Sequence, residues 1–209
     1  MEALQKFRRF LDTTPPSRRL EPAEQVCELC SAPAGVLHSH VVDLEARRLL
    51  CTCRPCYLLF THSGAGGGRF RSVTERYLRV RSSLSDAPWE VLQIPVGIVF
   101  FIRNSKQDRT IAFYPSPAGA TESGLPLESW QEIVDVAPDL ATLEADVEAL
   151  LVCRRKEKRE CWIVPVDACY ELVGRVRRHW RGFEGGEEAA AEIDAFLAAL
   201  AEREAASAV

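Results

Sequence analysis

Two Cys-x-x-Cys pairs, Cys27/Cys30 and Cys53/Cys56, stand 22 residues apart in the first third of the chain. Each such turn presents two thiolates to one tetrahedral ion, and two turns complete a four-sulfur shell. The intervening length suits a β-hairpin, with residues 38–43 and 47–51 as its strands, so the segment reads as a zinc-ribbon or treble-clef-like module. Cys51 adds a fifth thiol and is the alternative ligand to Cys53, which is preferred because it completes the second turn. Zinc suits four thiolates, and a small module needs the staple. An iron–sulfur cluster is the alternative.

Disulfides are the competing use of so much sulfur. The chain has eight cysteines against one methionine, and five of the eight lie between Cys27 and Cys56. That clustering favours a metal site over bridges spread along the chain. The opening MEALQKFRRFLDTTPP holds no apolar signal core, so the expected setting is cytoplasmic, where thiols stay reduced. The longest apolar stretch, residues 91–102, contains Gln93 and Pro95 and is too short to span a bilayer. A net charge of -4 argues against a protein built mainly to coat nucleic acid. The charge is uneven, +5 over residues 1–85 and -9 over residues 86–209, as two modules with different surfaces would show.

Three segments follow from this pattern. Residues 1–25 form a short helix, with Leu4, Phe7 and Leu11 at helical spacing, and a Pro-rich linker. Residues 26–81 form the Cys-rich module, including a glycine-rich loop at 63–68 that lacks the Gly-Lys-Ser/Thr ending of a phosphate loop. Residues 82–209 form an α+β domain with an antiparallel sheet and C-terminal helices. Its strands are expected at 96–102 and 110–114, the second stopped by Pro115 and Pro117, and at 147–153 and 161–166 around a charged loop. Helices are expected at 127–136 and, as a single turn, at 140–145. Another follows an Asp167 N-cap with Cys169, Leu172, Val173, Val176 and Trp180 on one face. A last helix carries Ile193, Phe196, Leu197 and Leu200.

His38 and His40 fall on one face of the first hairpin strand. With Asp43 they resemble the metal-nuclease family named for its His-Asn-His motif, which also builds on a treble clef. There a hairpin histidine activates water, and the helix after the second knuckle supplies further ligands. This chain has no asparagine between His38 and Cys56, and only His62 follows at the end of that stretch.

Three other stretches point elsewhere. They are CELC…HSHVVDLEARRLLCTCRPC, then AFYPSPAGATES at 112–123, then DACYELVG leading into HWRGFEGG at 167–186. They resemble a bacterial family known only as a domain of unknown function, whose genes often sit among nickel–iron hydrogenase structural and maturation genes. The likeness runs from about Val26 to Phe196. It implies a setting in hydrogenase biology, with a hydrogenase subunit or maturation factor as protein partner, and it implies no catalytic residues.

The second domain offers no catalytic constellation. Ser116 and Ser123 lack a Gly-x-Ser-x-Gly elbow, and no Gly-x-Gly-x-x-Gly follows a strand. Cys169 belongs to its helix's apolar stripe. The Pro- and Gly-rich loop at 115–124 offers Glu122 and Ser123 as polar contacts, and Arg181 and Phe183 beside a Gly-Gly turn have the character of interface residues. The expectation is a non-catalytic zinc-binding accessory protein acting through protein contacts. A treble-clef nuclease and an iron–sulfur redox module are the alternatives.

Overall fold

The computed structural model describes residues 25–81, 97–123, 137–155, 158–181 and 185–207. The expected helices at 2–11 and 127–136, the Pro-rich linker at 13–17, the start of the second domain at 82–88 and Phe183 lie outside the described residues.

The Cys-rich segment folds around a hairpin of β1 (Ser39–Asp43) and β2 (Arg48–Thr52), with β3 (Phe70–Ser72) on the far side of β1. His40 pairs with Cys51 across the hairpin, and Val41 with Leu50. Strand periodicity then separates two faces. Val41, Leu50 and Thr52 are buried on one; His40, Val42, Leu49 and Cys51 share the other, half-buried. After β2 comes a short helix, α1 (Arg54–Leu59), with Pro55 in its first turn, where a missing N–H costs nothing. Tyr57 on α1 is buried and donates its hydroxyl to the Val73 carbonyl at 3.0 Å, closing the module. The glycine-rich loop is a tight 3-10 turn at Ala65–Gly68. Gly66 has φ of +59°, and a Cβ there would stand 2.9 Å from the Phe60 ring.

The second unit is a six-stranded antiparallel sheet. Its strands are β4 (Leu78–Arg79), β5 (Ile98–Asn104), β6 (Arg109–Ser116), β7 (Gly119–Glu122), β8 (Glu148–Arg155) and β9 (Lys158–Pro165), in the order β4-β9-β8-β5-β6-β7. The chain therefore enters this sheet at Leu78, inside the segment assigned to the Cys-rich module. Two helices follow, α2 (Val166–His179) and α3 (Gly186–Ser207). They cover one face, where Phe100, Leu151, Trp162 and Val164 meet Leu172, Val176, Phe196 and Leu200. Burying each such side chain contributes roughly 1.5–3 kcal/mol. The other face is also buried: Val99, Phe101, Leu150 and Ile163 pack with Ala137 and Leu140 of a 3-10 turn at Pro138–Thr142.

Three expectations need correction. Pro115 does not stop its strand; β6 runs through it to Ser116 and turns into β7, so the expected loop at 115–124 is largely a hairpin. Pairing with β5 ends at Phe113, so the missing Pro115 N–H breaks no bond on that side. The charged loop around 154–160 is mostly strand, since β8 and β9 leave only two residues between them. Asp167 is not the N-cap of α2. Pro165 holds that position, and the Asp167 carboxylate, in the first turn, is directed elsewhere.

Electrostatic contacts join the two units. Glu148 is fully buried on β8 and accepts from Arg76 Nε at 2.9 Å, Arg76 Nη2 at 2.6 Å, Thr74 Oγ1 at 3.1 Å and the Glu144 backbone N–H at 2.8 Å. Arg71 on β3 reaches the Ala145 carbonyl and the Glu144 carboxylate.

Candidate metal centre

Cys27 and Cys30 lie on a turn pinned by backbone bonds from Cys27 N–H to the Ala32 carbonyl and from Ser31 N–H to the Cys27 carbonyl. The Glu28 N–H bonds the Cys51 carbonyl, which docks this turn against the end of β2. Cys53 and Cys56 come from the start of α1, where the Tyr57 N–H bonds the Cys53 carbonyl. The four Sγ atoms lie within 4.8 Å of one another, with Cys30 and Cys53 at 3.6 Å. A tetrahedron of zinc–sulfur bonds, each about 2.3 Å, spaces its sulfurs about 3.8 Å apart. The donor set and its spacing therefore fit an ion such as zinc.

The electrostatics of the cluster favour a cation. Burial raises the Cys27 thiol, but backbone N–H groups of Cys53, Cys30 and Leu29 outweigh it and bring the thiol down to about 6. Cys56 goes the other way, pushed up by burial and by the neighbouring sulfurs of Cys30, Cys53 and Cys27. Four thiolates this close repel one another, three of them buried and Cys30 exposed, and a divalent ion removes that repulsion.

Cys51 stands apart from this cluster. Its Sγ and the ring nitrogens of His38 and His40 form a second group, also within 4.8 Å. Burial pushes the Cys51 thiol up, and the Glu28 carboxylate adds to it. The two Nε2 atoms are 3.1 Å apart, and His40 Nδ1 lies 2.8 Å from Asp167 Oδ2 on α2. Asp43 takes no part. Three residues beyond His40, it falls on the opposite strand face, where Arg69 donates to it through Nε and Nη2. The Arg69 guanidinium first, helped by the Ala46 and Glu45 N–H groups and working against burial, holds the Asp43 carboxyl down to about 2.

The remaining cysteines lie inside the larger sheet. Cys153 and Cys169 belong to the core beneath the helices, and Cys161 to the core of the opposite face. Strand alternation thus separates Cys153 from Cys161. Burial raises Cys161 to about 11 and also holds Cys169 well above the ordinary thiol value. Glu122 pairs with Arg109 at 3.1 Å and with Arg47 of the β1–β2 turn at 3.7 Å, and the Ser123 N–H bonds the Ala112 carbonyl. Arg181 reaches Glu188 at 3.3 Å. A cavity of about 400 Å³ lies between the hairpin and the sheet, lined among others by Val42, Arg47, Leu49, Ile111, Phe113 and Tyr170.

A family model matches residues 26–204, from the first knuckle to the last helix. The chain belongs to DUF5947, a family of unknown function. The DUF5947 match takes in both the cysteine cluster and the six-stranded sheet, so the two units are conjoined parts of one family unit. No curated protein and no solved structure matches the chain.

Sequence reasoning missed Asp167 as the partner of His40. The two are 127 residues apart, and no local pattern links them. It also missed that Cys51 groups with the histidines, although the hairpin register places it opposite His40.

Proposed function

We propose that this DUF5947 protein is a zinc-binding accessory protein that works in the cytoplasm through protein contacts, in nickel–iron hydrogenase assembly or function. The four-cysteine cluster carries the reading: four thiols within reach of one ion would complete a tetrahedral shell and leave no position for substrate, as in structural zinc sites. The hydrogenase setting is supported by the resemblance carried by residues 112–123 and 167–186.

Two further observations favour a binding role. Five large apolar side chains of the Cys-rich module are exposed, namely Val26, Val36, Leu37, Leu58 and Leu59, with Leu37 97% exposed. Adjacent exposed pairs, Val36 with Leu37 and Leu58 with Leu59, offer apolar contacts to a protein partner. Among the described residues the nearest arrangement to a catalytic triad is Cys51, His40 and Asp167, yet burial raises the Cys51 thiol, whereas a cysteine nucleophile needs it lowered. The nuclease alternative has less support, because α1 reads Arg-Pro-Cys-Tyr-Leu-Leu and contributes neither imidazole nor carboxylate.

Affinity capture with the full-length chain, from cells making the hydrogenase, tests the proposal. The expected result is recovery of a hydrogenase subunit or maturation factor, lost on Leu37→Asp with Leu59→Asp. Recovery of no such protein, together with unchanged hydrogen uptake in a deletion strain, would overturn it.

A further inference from the structure

We propose that His38, His40 and Cys51 form a second metal site, distinct from the four-cysteine cluster, which takes one zinc-type divalent ion on three protein ligands.

The ligands converge because of the hairpin. His38 and His40 are two residues apart and point the same way, and Cys51 is the cross-strand partner of His40. Two imidazoles and a thiol form a nitrogen–sulfur set that borderline divalent ions prefer over magnesium or calcium. The 3.1 Å between the Nε2 atoms is close to the spacing of about 3.3 Å set by a tetrahedral ion with bonds of about 2.0–2.1 Å.

The protonation pattern agrees with a ligand role. A carboxylate only accepts, so His40 Nδ1 donates to Asp167, and Nε2 is the ring nitrogen left to face His38 and Cys51. A carboxylate behind a histidine in this way fixes the ring and raises its basicity as a ligand. His38 presents Nε2 to His40, and its Nδ1 is buried with no hydrogen-bond partner among the described residues, so an ion on Nε2 leaves that second nitrogen as it is.

Three ligands leave a fourth position, and all three side chains are half-buried rather than sealed. With one protein ligand fewer than the four-cysteine cluster, this site is expected to hold its ion less tightly. Asp167 belongs to α2 and the ligands to the Cys-rich module, so the ion also bears on how the two units sit together. Asp167 is a positioning residue here.

The proposal does not depend on the hydrogenase setting. Zinc titration of the full-length protein, followed by elemental analysis and native mass spectrometry, tests it. Wild type is expected to saturate at two ions per chain. His38→Ala and His40→Ala should each hold one, and Cys27→Ser should lose the other. Asp167→Asn should keep two ions but bind the weaker one about 10–100-fold less tightly, leaving the tighter one unchanged. Saturation of wild type at one ion per chain would overturn the proposal, as would two ions retained in both histidine variants. A single ion lost only in Cys27→Ser would leave the four-cysteine site standing and identify the histidine pair as a plain hydrogen bond.

Discussion

Replacing Arg76 by Ala should destabilise the protein by about 3–5 kcal/mol, far more than its surface position suggests. Arg76 is only partly covered, but its partner Glu148 has a fully buried side chain. Removing the guanidinium takes away two charge-assisted hydrogen bonds, at 2.9 and 2.6 Å, and leaves the carboxylate with only Thr74 Oγ1 and the Glu144 N–H. A buried carboxylate without its counter-charge is the costly species, whereas the exposed end of the arginine is readily hydrated. Glu148→Gln should therefore cost less, about 1–3 kcal/mol, since it removes the charge but leaves an amide facing an arginine donor. Joining Arg76→Met to Glu148→Leu should be milder than the sum of the single changes by about 1–3 kcal/mol, because neither partner is then left alone. Urea unfolding of the zinc-saturated protein, followed by far-ultraviolet circular dichroism, reads these values by linear extrapolation. An Arg76→Ala cost below about 1 kcal/mol, the range of an exposed ion pair, would refute the reasoning and with it the claim that this contact ties the two units.

Asp43 predicts an acid dependence. Its carboxyl is lowered in the folded protein from 3.8 to about 2, so its contribution is complete above the unfolded value and is lost as pH falls through about 2. That difference is worth about 2 kcal/mol, and a wild-type advantage over Asp43→Asn that stays undiminished between pH 5 and pH 2 would contradict it. Gly97→Ala should destabilise by about 1–3 kcal/mol, because its Cβ would stand 2.2 Å from the Arg154 carbonyl oxygen, part of the β-sheet backbone; an unchanged melting temperature would disprove this. Cys27→Ser should lower both zinc content and the stability of the Cys-rich module, since the metal supplies much of the folding energy of so small a unit. Equal thermal stability with undiminished zinc would contradict that reading.

Much of this architecture was legible in short-range pattern. Paired Cys-x-x-Cys turns announce their own chemistry, and the spacing between them fits the hairpin they flank. The α2 stripe was readable because Cys169, Leu172, Val173 and Val176 recur at helical period, and all four are buried. Pro115 misled because proline ends a strand only where its N–H is needed, and that depends on a neighbour's length rather than on local sequence. Asp167 misled for a related reason. An acidic residue at a helix start is ordinarily a cap, but here a histidine from another unit competes for its carboxylate and wins. Glu148 gave no sign of burial, since its arginine partner is 72 residues away. Long-range pairing of charges was the part that local pattern does not encode.

The central claim is that Cys27, Cys30, Cys53 and Cys56 hold structural zinc. Elemental analysis of the purified full-length protein, with its visible absorption spectrum, tests it most directly. A colourless protein that contains zinc and loses one ion per chain on Cys27→Ser is expected. A brown protein containing iron and acid-labile sulfide, with absorption near the bands of an iron–sulfur cluster, would contradict it.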